Sequence, residues 1–298
     1  MSGPVAVQAL VTGLATGAAY GLIALGFTLV QRLTGVLAFA HGDVLIGAVF
    51  VAVLAVIGTM PVAAPLGFGS VILLAVVAVV AGAALSATVY AVAIRPFRGD
   101  VLGWVASSLA AGLLVRELVG MPFAQQAYAL PDPLGSPGSI GLGGGVTVPV
   151  RALEVLALGL LVGVAVERAL ATTGAGAVMR AVADDARAAA LLGVPTERVV
   201  IIAFLLAGAL AGFAGLLIAP QAPIGLQDGV LLGLKGMTAA LLGRLGSLRL
   251  ALAGGLVLGV LEGFILASSS LGARWADTIV LALLAVLAAT RPRGLLAR

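Results

Sequence analysis

Residues 6–30 read AVQALVTGLATGAAYGLIALGFTLV, with no charged side chain anywhere in the run. A helix rises about 1.5 Å per residue, so roughly 20 apolar residues cross the hydrocarbon core of a bilayer. This run exceeds that length, and it sets the reading of the chain. Comparable apolar stretches follow at 36–57, 71–94, 101–119, 152–168, 199–219, 231–247, 250–269 and 276–290. The expectation is an all-α polytopic membrane protein with about eight or nine transmembrane helices in one domain, 1–298. The stretch 231–247 is the weakest, because Lys235 and Arg244 interrupt it. It reads either as a short tilted span or as a re-entrant pair of half-helices.

Composition agrees. Of 298 residues, 62% are hydrophobic and 9% charged, and the mean hydropathy is +1.24. A soluble domain is about half apolar and a quarter charged. A water-facing globule of this size cannot hide the excess, which excludes a soluble enzyme, a nucleic-acid binder and a disordered chain. The pI near 10.3 comes from arginines and one lysine, Lys235. They are spread thinly rather than gathered on one polar face, as nucleic-acid binding would require. The absence of Cys excludes a disulfide framework, a thiolate metal site and a Cys nucleophile. No basic residue precedes Gln8, and the first apolar run is too long for a signal h-region, so no cleaved signal peptide is expected.

Arginines set the orientation, since basic residues gather in cytoplasmic connections. The connection 169–198 holds Arg180, Arg187 and Arg198, with Arg168 at its edge, and the tail carries Arg291, Arg293 and Arg298. Both are expected inside, together with Arg32, Arg95 and Arg98. Arg116, Arg151 and Arg274 fall at or near the outside. The Pro- and Gly-rich connection 120–150 (Pro122, Pro131, Pro133, Pro137, Gly143, Gly144, Gly145) also falls outside. The nine-span map places the N-terminus outside and the C-terminus inside, and a re-entrant 231–247 would invert everything after it.

Glycines recur every fourth residue at Gly13, Gly17 and Gly21, at Gly255, Gly259 and Gly263, and at Gly208 and Gly212. Lipid supplies no hydrophobic drive between helices, so small residues that allow close backbone approach supply packing instead. Each stripe reads as ordinary bundle packing or as an interface with a second membrane subunit.

The connection TTGAGAVMRAVADDARAAALLGVPTERV, 172–199, is the most informative polar stretch. It predicts a short helix over 177–192, capped at its end by Gly193 and stopped by Pro195, with Thr196 able to cap the next span. Met179, Val182, Ala186, Ala189 and Ala190 share one face at helical spacing, with Arg180, Asp184 and Arg187 on the other. Such a helix can dock in a groove of a partner protein and pass a rigid-body push to the flanking spans. It can equally lie solvated on the bilayer surface.

Three blocks carry a resemblance. Ala183-Asp184-Asp185, then Ala188 to Gly193, the run Leu191-Leu192-Gly193-Val194-Pro195-Thr196, and Arg198 resemble the coupling-loop signature of branched-chain amino acid ABC transporter permeases. Gly21 to Val30 followed by Phe39-Ala40-His41-Gly42-Asp43 is similar to the first span and N-F-A-H-G-E region of the LivH-like half of that family. Lys235-Gly236, Leu242 to Ser247 and Gly254-Gly255 resemble a third family block. The blocks are colinear and cover most of the chain. Ala38 stands where the family has Asn, Asp43 where it has Glu, Arg244 where Gly is common, and Arg249-Leu250 replace a Pro-Gly-like turn.

The resemblance implies a fold of the branched-chain amino acid/ribose permease type in a bacterial cytoplasmic (inner) membrane. It implies two ABC ATPase subunits, a second, LivM-like permease and an extracytoplasmic solute-binding protein as partners, with membrane lipid around them and no nucleic acid. The implied solute is leucine, isoleucine, valine or a related small amino acid, moved by alternating access. Similar permeases carry urea or short amides. The implied ATPase-coupling residues are Arg180, Asp184, Asp185, Arg187, Leu191, Leu192 and Gly193.

An ionisable group within a span is costly and marks a candidate path. His41 is the single histidine, read as about five residues into the second span, with Asp43 two residues on and Gly42 able to break the helix between them. A broken helix would present a positive dipole end to a substrate carboxylate. Phe39, His41, Gly42 and Asp43 are therefore path candidates, against a packing role for His41. Glu262 lies in mid-span and is a further path candidate. Lys235 is read as neutralising Asp228 or facing a cavity, Arg116 and Glu117 as interfacial, and Thr28 and Gln31 as gate or packing residues.

No G-x-x-x-x-G-K-[ST] motif occurs, so ATP phosphates would have to be held by separate subunits. No cofactor or metal is expected, since one His without Cys excludes most zinc sites. The competing readings are a stand-alone channel or secondary transporter, and an intramembrane Ser protease. The protease would need His41 to reach Ser247.

Overall fold

The computed structural model describes residues 3–58, 67–97, 100–123, 127–128, 138–141, 146–268 and 272–290. Expectations for Arg98, Pro131, Pro133, Pro137, Gly143, Gly144, Gly145, Arg291, Arg293 and Arg298 lie outside the described residues, as does the side chain of Arg274. Eleven helices are described: α1 (Gly3–Thr34), α2 (His41–Val56), α3 (Phe68–Val89), α4 (Val101–Gly120), α5 (Val150–Thr172), α6 (Gly174–Asp184), α7 (Ala186–Leu191), α8 (Thr196–Ile218), α9 (Asp228–Leu242), α10 (Leu248–Ala267) and α11 (Gly272–Thr290). A π turn over Tyr90–Ile94 and a 3-10 turn over Arg95–Phe97 close α3. Six helices are long and apolar enough to cross a membrane, while His41–Val56 and Trp275–Thr290 are shorter apolar helices. The connection before α5 holds an antiparallel hairpin, β1 (Ser139–Gly141) and β2 (Thr147–Pro149), which the sequence reading leaves as loop.

α1 and α8 lie at the centre, buried over most of their length, and α2 and α9 pack beside them. α3, α4 and α5 present exposed apolar faces, with Ile72, Val80, Leu114 and Leu161 outward. That pattern is the surface a hydrocarbon solvent selects, because no hydrophobic gain attends burying Leu or Val against another helix there.

The glycine stripes close the centre. α1 and α10 pack so tightly that a Cβ on Gly17 would lie 2.8 Å from the Gly255 carbonyl oxygen, and one on Gly13 2.7 Å from that of Gly259. Gly208 and Gly212 of α8 meet Gly82 and Ala78 of α3 in the same way. The stripes are thus filled within this chain, and the alternative of a second subunit at them is corrected. Gly259→Leu should lower stability by at least the upper end of the ~1–3 kcal/mol range for overpacking, since backbone rather than side chains must move. Recovery of monodisperse protein on size exclusion tests this; undiminished recovery at an unchanged thermal midpoint would contradict the packing.

One of the two readings of 231–247 falls away, and one span assignment changes. α9 is one continuous helix starting at Asp228, not a pair of half-helices. Before it, Ile224 pairs with Tyr128 of the 120–150 connection. After it, Gly246 and Ser247 share a cavity with Arg32, Glu167 and α6. Its ends therefore lie at opposite faces of the bundle. The second apolar stretch does not run as one helix from 36. α1 ends at Thr34, Gly35 takes φ +76°, and the chain reaches His41 through a non-helical segment in which Val36, Leu37, Ala38 and Ala40 are buried.

Candidate functional site

Three polar groupings stand out in an otherwise apolar molecule. The first surrounds the start of α2. His41 opens the helix rather than lying within it, and α2 is unbroken at Gly42. The break lies before His41, where the Phe39 N–H donates to Ser108 Oγ of α4 at 3.3 Å. Gly42 instead allows close approach: its backbone meets Gly229 and Gly233 of α9, where a side chain would collide. The His41 ring is buried, 4.6 Å from the Phe27 ring and edge-on to it, and it rests on Gly26. Asp43 is buried and faces Arg116 of α4, with Nη1 3.9 Å from Oδ1, an ion pair without a hydrogen bond. Arg116 is thus no interfacial residue. Its side chain is 13% exposed and turns into the bundle, while the neighbouring Glu117 side chain is 63% exposed. The structure brings Phe39, His41, Gly42 and Asp43 together where α1, α2, α4 and α9 meet.

Glu262 does not join them. It belongs to a second grouping, in which Lys235 of α9 lies 2.7 Å from Glu262 of α10 and 2.7 Å from Asp277 of α11. The Lys235 ammonium also stands 5.8 Å from the centre of the Tyr20 ring of α1. Lys235 therefore neutralises Glu262 and Asp277, not Asp228, whose carboxylate accepts from the Gly225 N–H. Asp277 is a functional candidate the sequence reading missed. Its partner lies in another helix, and no local spacing signals the pairing. Thr28 of α1 is fully buried, which fits packing rather than gating.

The third grouping is the connection between α5 and α8. The single helix expected over 177–192 is two helices, broken at Asp185. Its carboxylate accepts from the Arg187 and Ala188 N–H groups at 2.9 Å, capping α7. Asp is among the best N-cap residues, so a second helix starts where one would otherwise continue. Thr173 caps α6 in the same way through the Gly176 N–H. Gly193 takes φ +82° after α7, the left-handed conformation that a C-terminal cap requires. Pro195 and not Thr196 occupies the cap position of α8, and Thr196 makes no capping hydrogen bond.

Met179, Val182, Ala183 and Ala189 bury the inner face of this pair against α1 and α8. Ala190 is exposed, contrary to the expected stripe. Arg180 also departs from the expected outer face: its guanidinium turns inward and donates to the Leu170 backbone oxygen. Asp184, Asp185 and Arg187 are exposed. Leu191 and Leu192 are 90% and 85% exposed, adjacent apolar side chains at the end of α7. Arg95 after α3 pairs with Glu197 of α8 at 2.6 Å, which places the end of α3 at this same face. Ser247 lies on that face too, in the α10 cap, accepting from the Leu250 N–H. His41 is enclosed by Gly26 and Phe27 instead, so the two form no nucleophile–base pair.

The family model for the branched-chain amino acid transport system permease component matches residues 9–289. The permease protein BraD of the high-affinity branched-chain amino acid transport system of Pseudomonas aeruginosa is 30% identical over 98% of this chain and 96% of its own length. The permease protein LivH of the corresponding Escherichia coli K12 system is 29% identical over the same shares of the two chains. An inward-facing metal-chelate type ABC transporter structure superposes with a TM-score of 0.54 over 96% of this chain and 87% of its own, at 17% identity, a likeness of fold. The chain belongs to the family of branched-chain amino acid transport system permeases.

Proposed function

We propose that this chain is the membrane-spanning permease subunit of an ATP-driven importer of leucine, isoleucine, valine or a closely related small amino acid. The full-length family match carries the reading. In this reading α1 to α5 and α8 to α11 make nine crossings of a bacterial inner membrane as one domain, with α6 and α7 in the cytoplasm. Two ATPase subunits hold and hydrolyse ATP, so the chain itself needs no cofactor. A second permease completes the core, and an external binding protein delivers solute.

Asp184, Asp185, Arg187, Leu191, Leu192 and Gly193 form or shape the docking end, and Arg180 locks α6 to the end of α5. ATP-driven closure of the ATPases pushes α6 and α7, and α5 and α8 rock with them. The start of α2, with Phe39, His41, Gly42 and Asp43, lines the path. Glu262 serves instead to hold α9, α10 and α11 together, because its Oε1 is already paired with Lys235.

Reconstitution with ABC ATPase subunits tests the reading. ATP hydrolysis in liposomes should rise with branched-chain amino acids and binding protein. A rise with urea or short amides alone would shift the solute class, and uptake by the isolated chain would overturn the subunit reading. His41→Ala should stop transport while assembly with the ATPases persists. Normal uptake by that variant would remove His41 from the path and leave its packing on Phe27 as its role.

A further inference from the structure

A cavity of about 390 Å³ opens beside α6, between the ends of α1 and α5 and the start of α10. Leu33, Met179 and Leu248 give it an apolar wall, while Arg32, Arg180 and Arg249 bring three guanidinium groups against one carboxylate, Glu167. That carboxylate is already engaged, accepting from Arg249 Nε at 2.6 Å. Arg180 uses one N–H on the Leu170 carbonyl and retains its others. Arg32 has no acidic partner among the described residues. α10 also starts at the cavity, so its first-turn N–H groups and the positive end of its dipole add to the field there.

Positive charge in excess, forked donors and an apolar wall at the ends of spans describe a receptor for a phosphate on an amphipathic molecule. Arg matches phosphate oxygens in a bidentate manner. Basic pockets between spans at the cytoplasmic boundary suit anionic headgroups. We propose that this cavity binds a phosphate group, supplied by an anionic phospholipid of the inner leaflet, with free phosphate the other source of the same chemistry. The leaflet assignment rests on the proposed orientation, with α6 and α7 cytoplasmic. A phosphate held there bridges Arg180 of α6 to Arg32 of α1 and Arg249 of α10, so it tethers the docking segment to the spans that it must move.

Native mass spectrometry of the full chain in detergent tests this with dioleoyl phosphatidylglycerol, dioleoyl phosphatidylcholine and inorganic phosphate as separate titrants. Phosphatidylglycerol should be retained and phosphatidylcholine lost. Arg32→Gln should weaken retention about tenfold, the equivalent of one charge-assisted hydrogen bond, and Arg32→Lys should restore most of it. Glu167→Gln should tighten retention, because it removes the competing carboxylate and frees Arg249. Displacement of the lipid by inorganic phosphate would support the site and assign it to phosphate itself. Equal retention of both lipids without phosphate binding overturns the proposal, as does wild-type affinity in both Arg32→Gln and Glu167→Gln. If Arg32→Gln fails to fold, the opposite sign expected for Glu167→Gln still decides. Binding is read without ATPases or solute, so it stands apart from the outcome of the transport assay.

Discussion

Leu191→Asp combined with Leu192→Asp should cut ATP-driven uptake by up to roughly a thousandfold while the permease folds as before. Both side chains are almost fully exposed at the end of α7 and touch little of their own chain. Surface substitutions of that kind change stability within about ±0.5 kcal/mol. A large exposed apolar side chain at a helix end has no packing role within the chain, but it is what a partner groove takes as an anchor. Anchors of this type contribute about 2 kcal/mol or more each, and two of them make about 4 kcal/mol, roughly a thousandfold in affinity. The geometry that presents them is fixed by the Asp185 cap before α7, by Gly193 after it, and by buried Ala189 beneath. The double variant should purify with an unchanged thermal midpoint, lose its ATPase subunits on co-purification, and show no solute-stimulated hydrolysis. Retained ATPase binding would sink the docking role of this leucine pair. A fall in thermal midpoint would show instead that the leucines serve the fold.

How far the sequence carries depends on the range of each interaction. The spans were legible because a long uncharged run has one stable solution in lipid, where every backbone group must be satisfied within the helix. The connection between α5 and α8 was legible as a helical stretch with a buried face, since Met179 and Val182 sit at helical spacing and both are buried. Its break was not, because Asp184-Asp185 reads as a polar patch until the backbone shows which carboxylate meets the next N–H groups. The capping preference of Asp before Ala186-Arg187-Ala188 was the available signal. The end of the first span near Gln31, Arg32 and Thr34 was legible, whereas the non-helical course from Val36 to Ala40 was not, because that run is apolar and reads as the start of the next span. Arg116 looked interfacial because Glu117 is beside it, 3.8 Å away, whereas its other partner, Asp43, belongs to another helix. Pairings that cross helices leave no periodic trace. For that reason the ties from Lys235 to Glu262 and Asp277, and from Arg249 to Glu167, emerged only from the structure.

Lys235→Met should destabilise the protein by about 3–5 kcal/mol, the usual effect of removing one partner from a buried pair. The side chains of Lys235 and Glu262 are 8% and 9% exposed, so a thioether in place of the ammonium would leave the Glu262 carboxylate without its cation in a site that water cannot solvate. The side chain of Asp277 is 55% exposed and can recover solvation, so the effect falls mainly on α9 and α10. The same argument gives an opposite expectation for the double variant. With Lys235→Met and Glu262→Met together, no buried charge is left unpaired, and two apolar side chains of similar length fill the space. Replacing a buried pair in this way is often neutral or stabilising. The thermal midpoint in detergent should therefore drop sharply in the single variant and return close to wild type in the double. If the single variant fails to accumulate, recovery of the double carries the result. A double variant no better than the single one would show that the ion pair is not the source of the loss. Transport by the rescued double then separates two roles: uptake near wild type means that the cluster only fastens α9 to α10, and a folded but silent permease means that the charges themselves take part as the spans rock.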